Sequence, residues 1–417
     1  MENFIINGPS ELQGKVKISG SKNEALKLIP LAITLKGSIN IENVPKIKDI
    51  FSQLEIFKVL GGKVDFQDDL VLDGNSVNKF TTVGEHSKSL RASIVYLGPL
   101  LSKFKKAEIP FPGGCAIGLR PIDTHLDAFK DLGASIKKND ESVCVSLDHI
   151  NNNRIKLKEQ SVSATENVIL YLSSVRNNVT IENCAIEPEI MHLIEILKSG
   201  GADIVSPANR VFRIKGTDRL NIKRIKVMPD RIEAGTFLIA IAATGGSGEI
   251  YPFQKQYLET PLKTLEKCGV RFRCTEDKCI VYNSPDLSSF EITTNPYPGF
   301  PTDLQPPMAL IAARAKGISV INETMFENRL NYLNNMGKMG LEYRLINKNK
   351  AEISGPCSLR SSKVESLDLR AGITILIAAI MAKGRSVIKG AEIIDRGYEN
   401  IEHKLGRLGA DITRTNG

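Results

Sequence analysis

The sequence predicts an α/β protein with internal pseudo-symmetry, assembled from six copies of a unit of about 70 residues. Two recurring helices carry this reading. The first is short and amphipathic, ends in glycine and leads into a strand: 54-LEIFKVLGGKV, 125-HLDAFKDLGASI, 192-HLIEILKSGGADI, 261-PLKTLEKCGVRF, 332-YLNNMGKMGLEY and 403-HKLGRLGADI. The glycine falls at 61, 133, 201, 269, 340 and 409, at intervals of 68 to 72 residues, where it reads as the helix C-cap. The second helix is rich in small and aliphatic residues and is followed by a polar turn and a strand, as in 25-ALKLIPLAITLKGSINIENV, 234-AGTFLIAIAATGGSGEIYPF and 371-AGITILIAAIMAKGRSVIKG. Segments starting at 92, 167 and 307 repeat the pattern. Being apolar nearly all round, these helices belong inside their domain, with the amphipathic ones outside.

The 417 residues, 42% hydrophobic, suffice for a large core and favour two or more domains. The opening MENFIINGPS lacks a basic region before an apolar run, so it does not read as a secretory signal. The longest apolar run, Ile373 to Ala382, is too short to span a bilayer, so no membrane role and an intracellular location are expected. Net charge is +8, with basic residues dispersed; that suits small anionic substrates, and without Trp or a basic-aromatic module no nucleic-acid partner is expected. Seven cysteines with no CxxC pair argue against a disulfide framework or zinc site. The cluster Cys268, Cys274, Cys279 is spaced wrongly for a zinc knuckle and reads as structural.

Polarity concentrates where the buried helices begin: Lys22-Asn23, Leu90-Arg91, Thr165-Glu166-Asn167, Asp230-Arg231-Ile232-Glu233, Asp303-Leu304-Gln305 and Asp368-Leu369-Arg370. A single Asp or Asn there reads first as an N-cap. Capping does not account for Lys22, Arg91 and Arg370, because a cation opposes the helix dipole; a bound anion would explain them. The stretch 112-PGGCAIGLRPIDTH-125 reads as a mobile loop, in which a thiol flanked by Arg120 would favour its thiolate.

SGSKN, LRAS, PGGCAIGLRPIDTH, PDRIEAGTF, YPGFPTDLQP, FENR, DLRAG and DRGYE occur in an order and spacing similar to the UDP-N-acetylglucosamine 1-carboxyvinyltransferase family of enolpyruvyl transferases. The likeness runs from 16-VKISGSKNEAL to 394-IDRGYENIEHKLGRLGADI. It implies a two-domain inverse α/β barrel with three repeats per domain and a cleft between the domains. Residues 1–20 with 230–417 would form a discontinuous C-terminal-type domain, and 21–229 an inserted N-terminal-type domain carrying the mobile Cys115 loop.

The reaction implied by the resemblance is enolpyruvate transfer from phosphoenolpyruvate to the 3-hydroxyl of UDP-N-acetylglucosamine, releasing phosphate. It opens peptidoglycan synthesis in the cytoplasm and needs no metal or organic cofactor. Cys115 matches the family's reactive cysteine, the proton donor to the methylene carbon and the target of fosfomycin. Lys22, Arg120, Arg370 and Arg396 match the anion-binding set, Asp303 the carboxylate facing the sugar hydroxyl, and Asp368 a further carboxylate of the cleft. Asn23, Arg91, Pro121, Ile122, Asp123, Thr124, His125, Ser161, Val162, Met325 and Arg329 match positions that recognise sugar, uridine or diphosphate. His125 also fits a plain helix start after Pro121.

The sequence departs from the family in 159-EQSVSATEN, where Ser163 replaces the usual glycine and Glu159 and Gln160 stand where some members place a lysine. Serine fits there if the backbone is right-handed and is strained if it is left-handed. Three alternatives stay open: an enolpyruvyl transferase for another nucleotide, one for shikimate 3-phosphate, and a non-catalytic paralogue. The shikimate enzymes lack the PGGC loop. The oligomeric state is not legible.

Overall fold

The computed structural model describes residues 2–82, 84–111 and 121–416. These divide into two units, 20–111 with 121–228 and 2–19 with 229–416. Each has its own hydrophobic core. Both are inverse α/β barrels, with apolar helices inside and sheets around them.

The inner helices of the first unit are Lys22–Leu31, Leu97–Phe104 and Val162–Ser173; those of the second are Arg231–Ala243, Gln305–Arg314 and Leu369–Met381. Every residue of Arg231–Ala243 is buried, as the absence of a polar face requires. By contrast the outer helix Glu259–Lys267 buries only Pro261 and Leu265. Helix Leu97–Phe104 comes so close to Val162–Ser173 that a Cβ on Gly98 would sit 2.3 Å from the Asn167 carbonyl oxygen. The six stop glycines all adopt positive φ, from 90° to 111°, so each ends its helix in a conformation that side chains resist.

Six sheets match the six repeats, three to a unit. In the first five repeats the strand after the inner helix pairs antiparallel with one strand of a hairpin, and in each repeat it meets a short parallel segment. In the third, fifth and sixth repeats that short strand immediately precedes the inner helix: Arg154–Lys156, Glu291–Thr293 and Lys363–Glu365. In the second it shrinks to a bridge between Thr81 and Glu108. The first and fourth repeats exchange theirs. Gln13–Lys17 precedes the first inner helix but pairs with Ser247–Tyr251, whereas Arg224–Lys226 precedes the fourth and pairs with Ser38–Glu42. Strand Glu2–Gly8 completes the sixth sheet between Gly384–Lys389 and Asp411–Asn416. No helix among the described residues is long and apolar enough to cross a membrane.

Candidate active site

In the unit of 229–416, Asp303 lies in the 3-10 turn Thr302–Leu304 that leads into an inner helix. It does not serve as a cap. One carboxylate oxygen accepts from Arg329 Nη2 at 2.7 Å and the other from Arg370 Nη2 at 3.1 Å. Both arginines are buried, and Asp303 keeps 28% of its side chain exposed. Burial works against the Arg370 charge, but Asp303, Tyr398 and Asp230 outweigh it and hold its pKa above the ordinary value. Arg370 Nη1 also donates to Tyr398 Oη at 3.0 Å, and that oxygen meets Thr236 Oγ1 at 3.0 Å.

Asp230 and Asp368 are N-caps, as the simpler reading of a helix-start carboxylate has it. Asp368 Oδ1 accepts from the amides of Arg370 and Ala371, at 2.8 and 3.1 Å. Asp230 does the same for Ile232 and Glu233. Arg396 is half-buried in the turn after Asp395, which Arg414 grips with two nitrogens at 2.7 and 2.8 Å. Met325 lies exposed on the 324–329 loop.

Glu323 went unrecognised in the sequence. Fully buried, it accepts from Thr294 Oγ1, Thr302 Oγ1 and the amides of Met325 and Phe326, at 2.7 to 3.3 Å. One carboxylate thus fixes both the turn of Asp303 and the loop leading to Arg329. Tyr398, in the DRGYE motif, joins the triad through Arg370.

In the unit of 20–111 and 121–228, Ser21 caps the first inner helix and Lys22, the residue after it, is buried against Asp49 at 2.6 Å. This ion pair answers part of the dipole problem posed by a cation at a helix start. The same helix sends Lys27 Nζ to Glu166 at 3.1 Å and to the Asn23 carbonyl at 2.6 Å. Burial pushes the Glu166 carboxyl up to about 7, with Lys27 opposing the rise. Thr165, Glu166 and Asn167 therefore sit a turn inside their helix, whose cap is Ser161.

The segment 121–125 folds against 159–163. Arg91 Nη2 donates to the Pro121 carbonyl at 2.9 Å, and Ile122 is buried just ahead of the helix Asp123–Leu132. Asp123 is exposed and reaches Lys138. Thr124 Oγ1 donates to Glu159 at 2.8 Å, and His125 Nε2 meets Ser163 Oγ at 3.0 Å. Glu159 and Ser163 thus contact neighbouring residues of one motif. Ser163 lies in the right-handed helix Val162–Ser173, so the serine is unstrained.

Asn167 fixes the His125 tautomer. Its Oδ1 accepts from the Gly98 amide at 2.6 Å and its Nδ2 donates to the Ile94 carbonyl at 2.8 Å. That same Nδ2 faces His125 Nδ1 at 3.0 Å. Nδ1 is therefore the acceptor, and Nε2–H donates to Ser163. Burial, reinforced by Arg91, lowers the His125 pKa to about 3.

Cys115 and Arg120 lie outside the described residues. Among those described, no three His, Cys, Asp or Glu side chains gather as a metal ion requires. A hollow of about 630 Å3 beside Leu101, His149, Asn151 and Asn177 includes none of the expected site residues.

The family model described as EPSP synthase (3-phosphoshikimate 1-carboxyvinyltransferase) matches residues 6–405. Relatives named UDP-N-acetylglucosamine 1-carboxyvinyltransferase include one from Pelagibacter ubique, 38% identical with both chains fully covered. Another, from Prochlorococcus marinus, is 42% identical over 99% of this chain and 91% of its own. Among solved structures, the enolpyruvyl transferase NikO from Streptomyces tendae superposes with a TM-score of 0.90 at 22% identity, covering 100% of this chain and 99% of its own. EPSP synthase from Acinetobacter baumannii gives 0.75 at 16%, with both chains fully covered. These two show the fold. The full-length identity to the curated relatives goes further: the chain belongs to the UDP-N-acetylglucosamine 1-carboxyvinyltransferases, within the wider EPSP synthase family of enolpyruvyl transferases.

Proposed function

We propose that this chain transfers enolpyruvate from phosphoenolpyruvate to the 3-hydroxyl of UDP-N-acetylglucosamine and releases phosphate. The observation that carries this reading is the end-to-end match to relatives of that name at 37 to 42% identity, against 16% for the EPSP synthase chain. The step commits material to peptidoglycan, in the cytoplasm, and so serves cell-wall growth, cell shape and division.

Phosphoenolpyruvate brings a carboxylate and a phosphate, which Lys22, Arg120, Arg370 and Arg396 hold. The sugar oxygen attacks the donor's central carbon as its proton passes toward Asp303, and Cys115 protonates the methylene carbon. Loss of phosphate from the tetrahedral intermediate, with return of a proton from the new methyl group, restores the double bond. Asp368 helps manage charge around that intermediate. Asn23, Arg91, Pro121, Ile122, Asp123, Thr124, His125, Ser161, Val162, Met325 and Arg329 recognise the nucleotide sugar. The clamp on Asp303 supports its role by geometry, since two buried guanidinium groups hold the carboxylate in one orientation.

Fosfomycin should inactivate through Cys115, and Cys115→Asp should retain turnover while escaping inactivation, because the carboxyl can still carry a proton. Mass spectrometry after incubation with both substrates tests the reaction itself. A 3-O-enolpyruvyl nucleotide sugar supports the proposal, and unchanged acceptor with consumed donor opposes it.

A further inference from the structure

The cysteine cluster that read as structural contains a pair whose geometry the proposed reaction does not use. Strands Arg271–Cys274 and Cys279–Tyr282 form an antiparallel hairpin with Cys274 directly opposite Cys279. The Thr275 amide donates to the Lys278 carbonyl at 2.8 Å, which makes the adjacent 274/279 pair a non-hydrogen-bonded one. Side chains approach closest at such pairs, with Cα atoms about 4.5 Å apart, inside the range of about 4.4 to 6.8 Å that a disulfide tolerates. Both thiols lie on the face that carries Phe272 and Val281 toward the core.

Their exposures differ. Cys279 is fully buried, whereas Cys274 is half-exposed at the rim of the core. The neighbouring Cys279 thiol lowers the Cys274 pKa against the effect of burial, and Lys255 adds to the lowering. The Cys279 thiol is pushed up, first by its neighbour Cys274 and then by burial. The other thiols differ from this arrangement: burial raises Cys184 and Cys268 to about 12, and in the sheet register Cys144 faces Glu108 and Lys137.

We propose that Cys274 and Cys279 are a reversible redox pair, which a small-molecule disulfide oxidises to a disulfide across the hairpin. The Cys274 thiolate attacks one sulfur of R–S–S–R, forming Cys274–S–S–R and expelling RS⁻. Cys279 gives up its proton and attacks Cys274 Sγ, expelling the second RS⁻. Two protein thiols are oxidised, one small disulfide is reduced, and the two protons end on two RSH. None of the residues assigned to the transferase reaction lies on this hairpin, so oxidation should leave turnover within about twofold.

The test exposes the full chain to glutathione disulfide at pH 8, blocks free thiols by alkylation and maps tryptic peptides. Cleavage after Lys278 separates the two cysteines, so the bond appears as linked peptides that dithiothreitol releases. Cys274 and Cys279 should lose their free thiols together, at least tenfold faster than Cys144, Cys184, Cys268 or Cys357. In Cys279→Ser a glutathione adduct should persist on Cys274; in Cys274→Ser neither adduct nor link should form. If both cysteines of the wild-type chain are recovered fully alkylated, or if either is linked to a different cysteine, the proposal is overturned. The wild-type map decides even where a variant misfolds.

Discussion

His125 and Ser163 meet at 3.0 Å, the imidazole Nε2–H donating to the serine oxygen. Because the ring is fully buried, removing the hydroxyl strands a donor. Ser163→Ala should cost about 1 to 3 kcal/mol of stability, seen as a lower melting temperature. It should also raise KM for UDP-N-acetylglucosamine several-fold at unchanged kcat. An unaltered melting curve and KM would show that the contact contributes nothing.

The same ring sets a pH dependence. Its pKa lies near 3 because of burial and then Arg91, whereas an unfolded histidine titrates near 6.5. The unfolded state therefore binds the extra proton as pH falls, so this group's contribution to stability is present above about 6.5 and is lost as pH drops toward 3. In selectively labelled protein, where His125 is one of five histidines, its resonance should not titrate between pH 8 and 5. His125→Gln should show a smaller loss of melting temperature over that interval. A His125 titration midpoint near 6.5 would contradict the tautomer assignment.

At Asp303, two substitutions both remove the negative charge but differ in whether an acceptor for the two arginines remains. Asp303→Asn keeps the shape but removes the proton acceptor, and kcat should fall by about 10² to 10⁴. Asp303→Ala also removes the acceptor that Asn would still offer to the buried Arg329 and Arg370, and should cost about 3 to 5 kcal/mol of stability. Calorimetry beside steady-state kinetics distinguishes the two. Equal activity in Asp303→Asn and wild type would remove Asp303 from the proton path.

Glu323 touches no residue proposed to handle protons, yet it ties Thr302, beside Asp303, to the amides of Met325 and Phe326. Glu323→Ala should lower kcat about tenfold to a hundredfold through misplacement of the turn. Glu323→Gln, which keeps an acceptor for the amides, should recover part of that loss. A purely structural role would lower the melting temperature of both variants without the kcat difference between them.

Much of the architecture was legible because it is periodic. The glycine stops at 61, 133, 201, 269, 340 and 409 announce six outer helices, and uniform apolarity marks inner ones such as Arg231–Ala243. The exchange of Gln13–Lys17 and Arg224–Lys226 between the first and fourth repeats left no such trace. A short parallel strand carries little pattern, and its partner lies far along the chain. Site residues divided similarly. Cationic helix starts pointed to Lys22, Arg91 and Arg370, but the sequence could not show that Asp303 is held by arginines 26 and 67 residues away. Nor could it show that Ser163 has a right-handed backbone, or that Cys274 faces Cys279.

The most direct measurement of the central claim is phosphate release from phosphoenolpyruvate with UDP-N-acetylglucosamine or shikimate 3-phosphate as the acceptor. Acceptor choice separates the branches of a family that share fold and donor. Release should depend strictly on UDP-N-acetylglucosamine and stay at background with shikimate 3-phosphate. Equal turnover of the two acceptors, or release with the shikimate compound alone, would contradict the account.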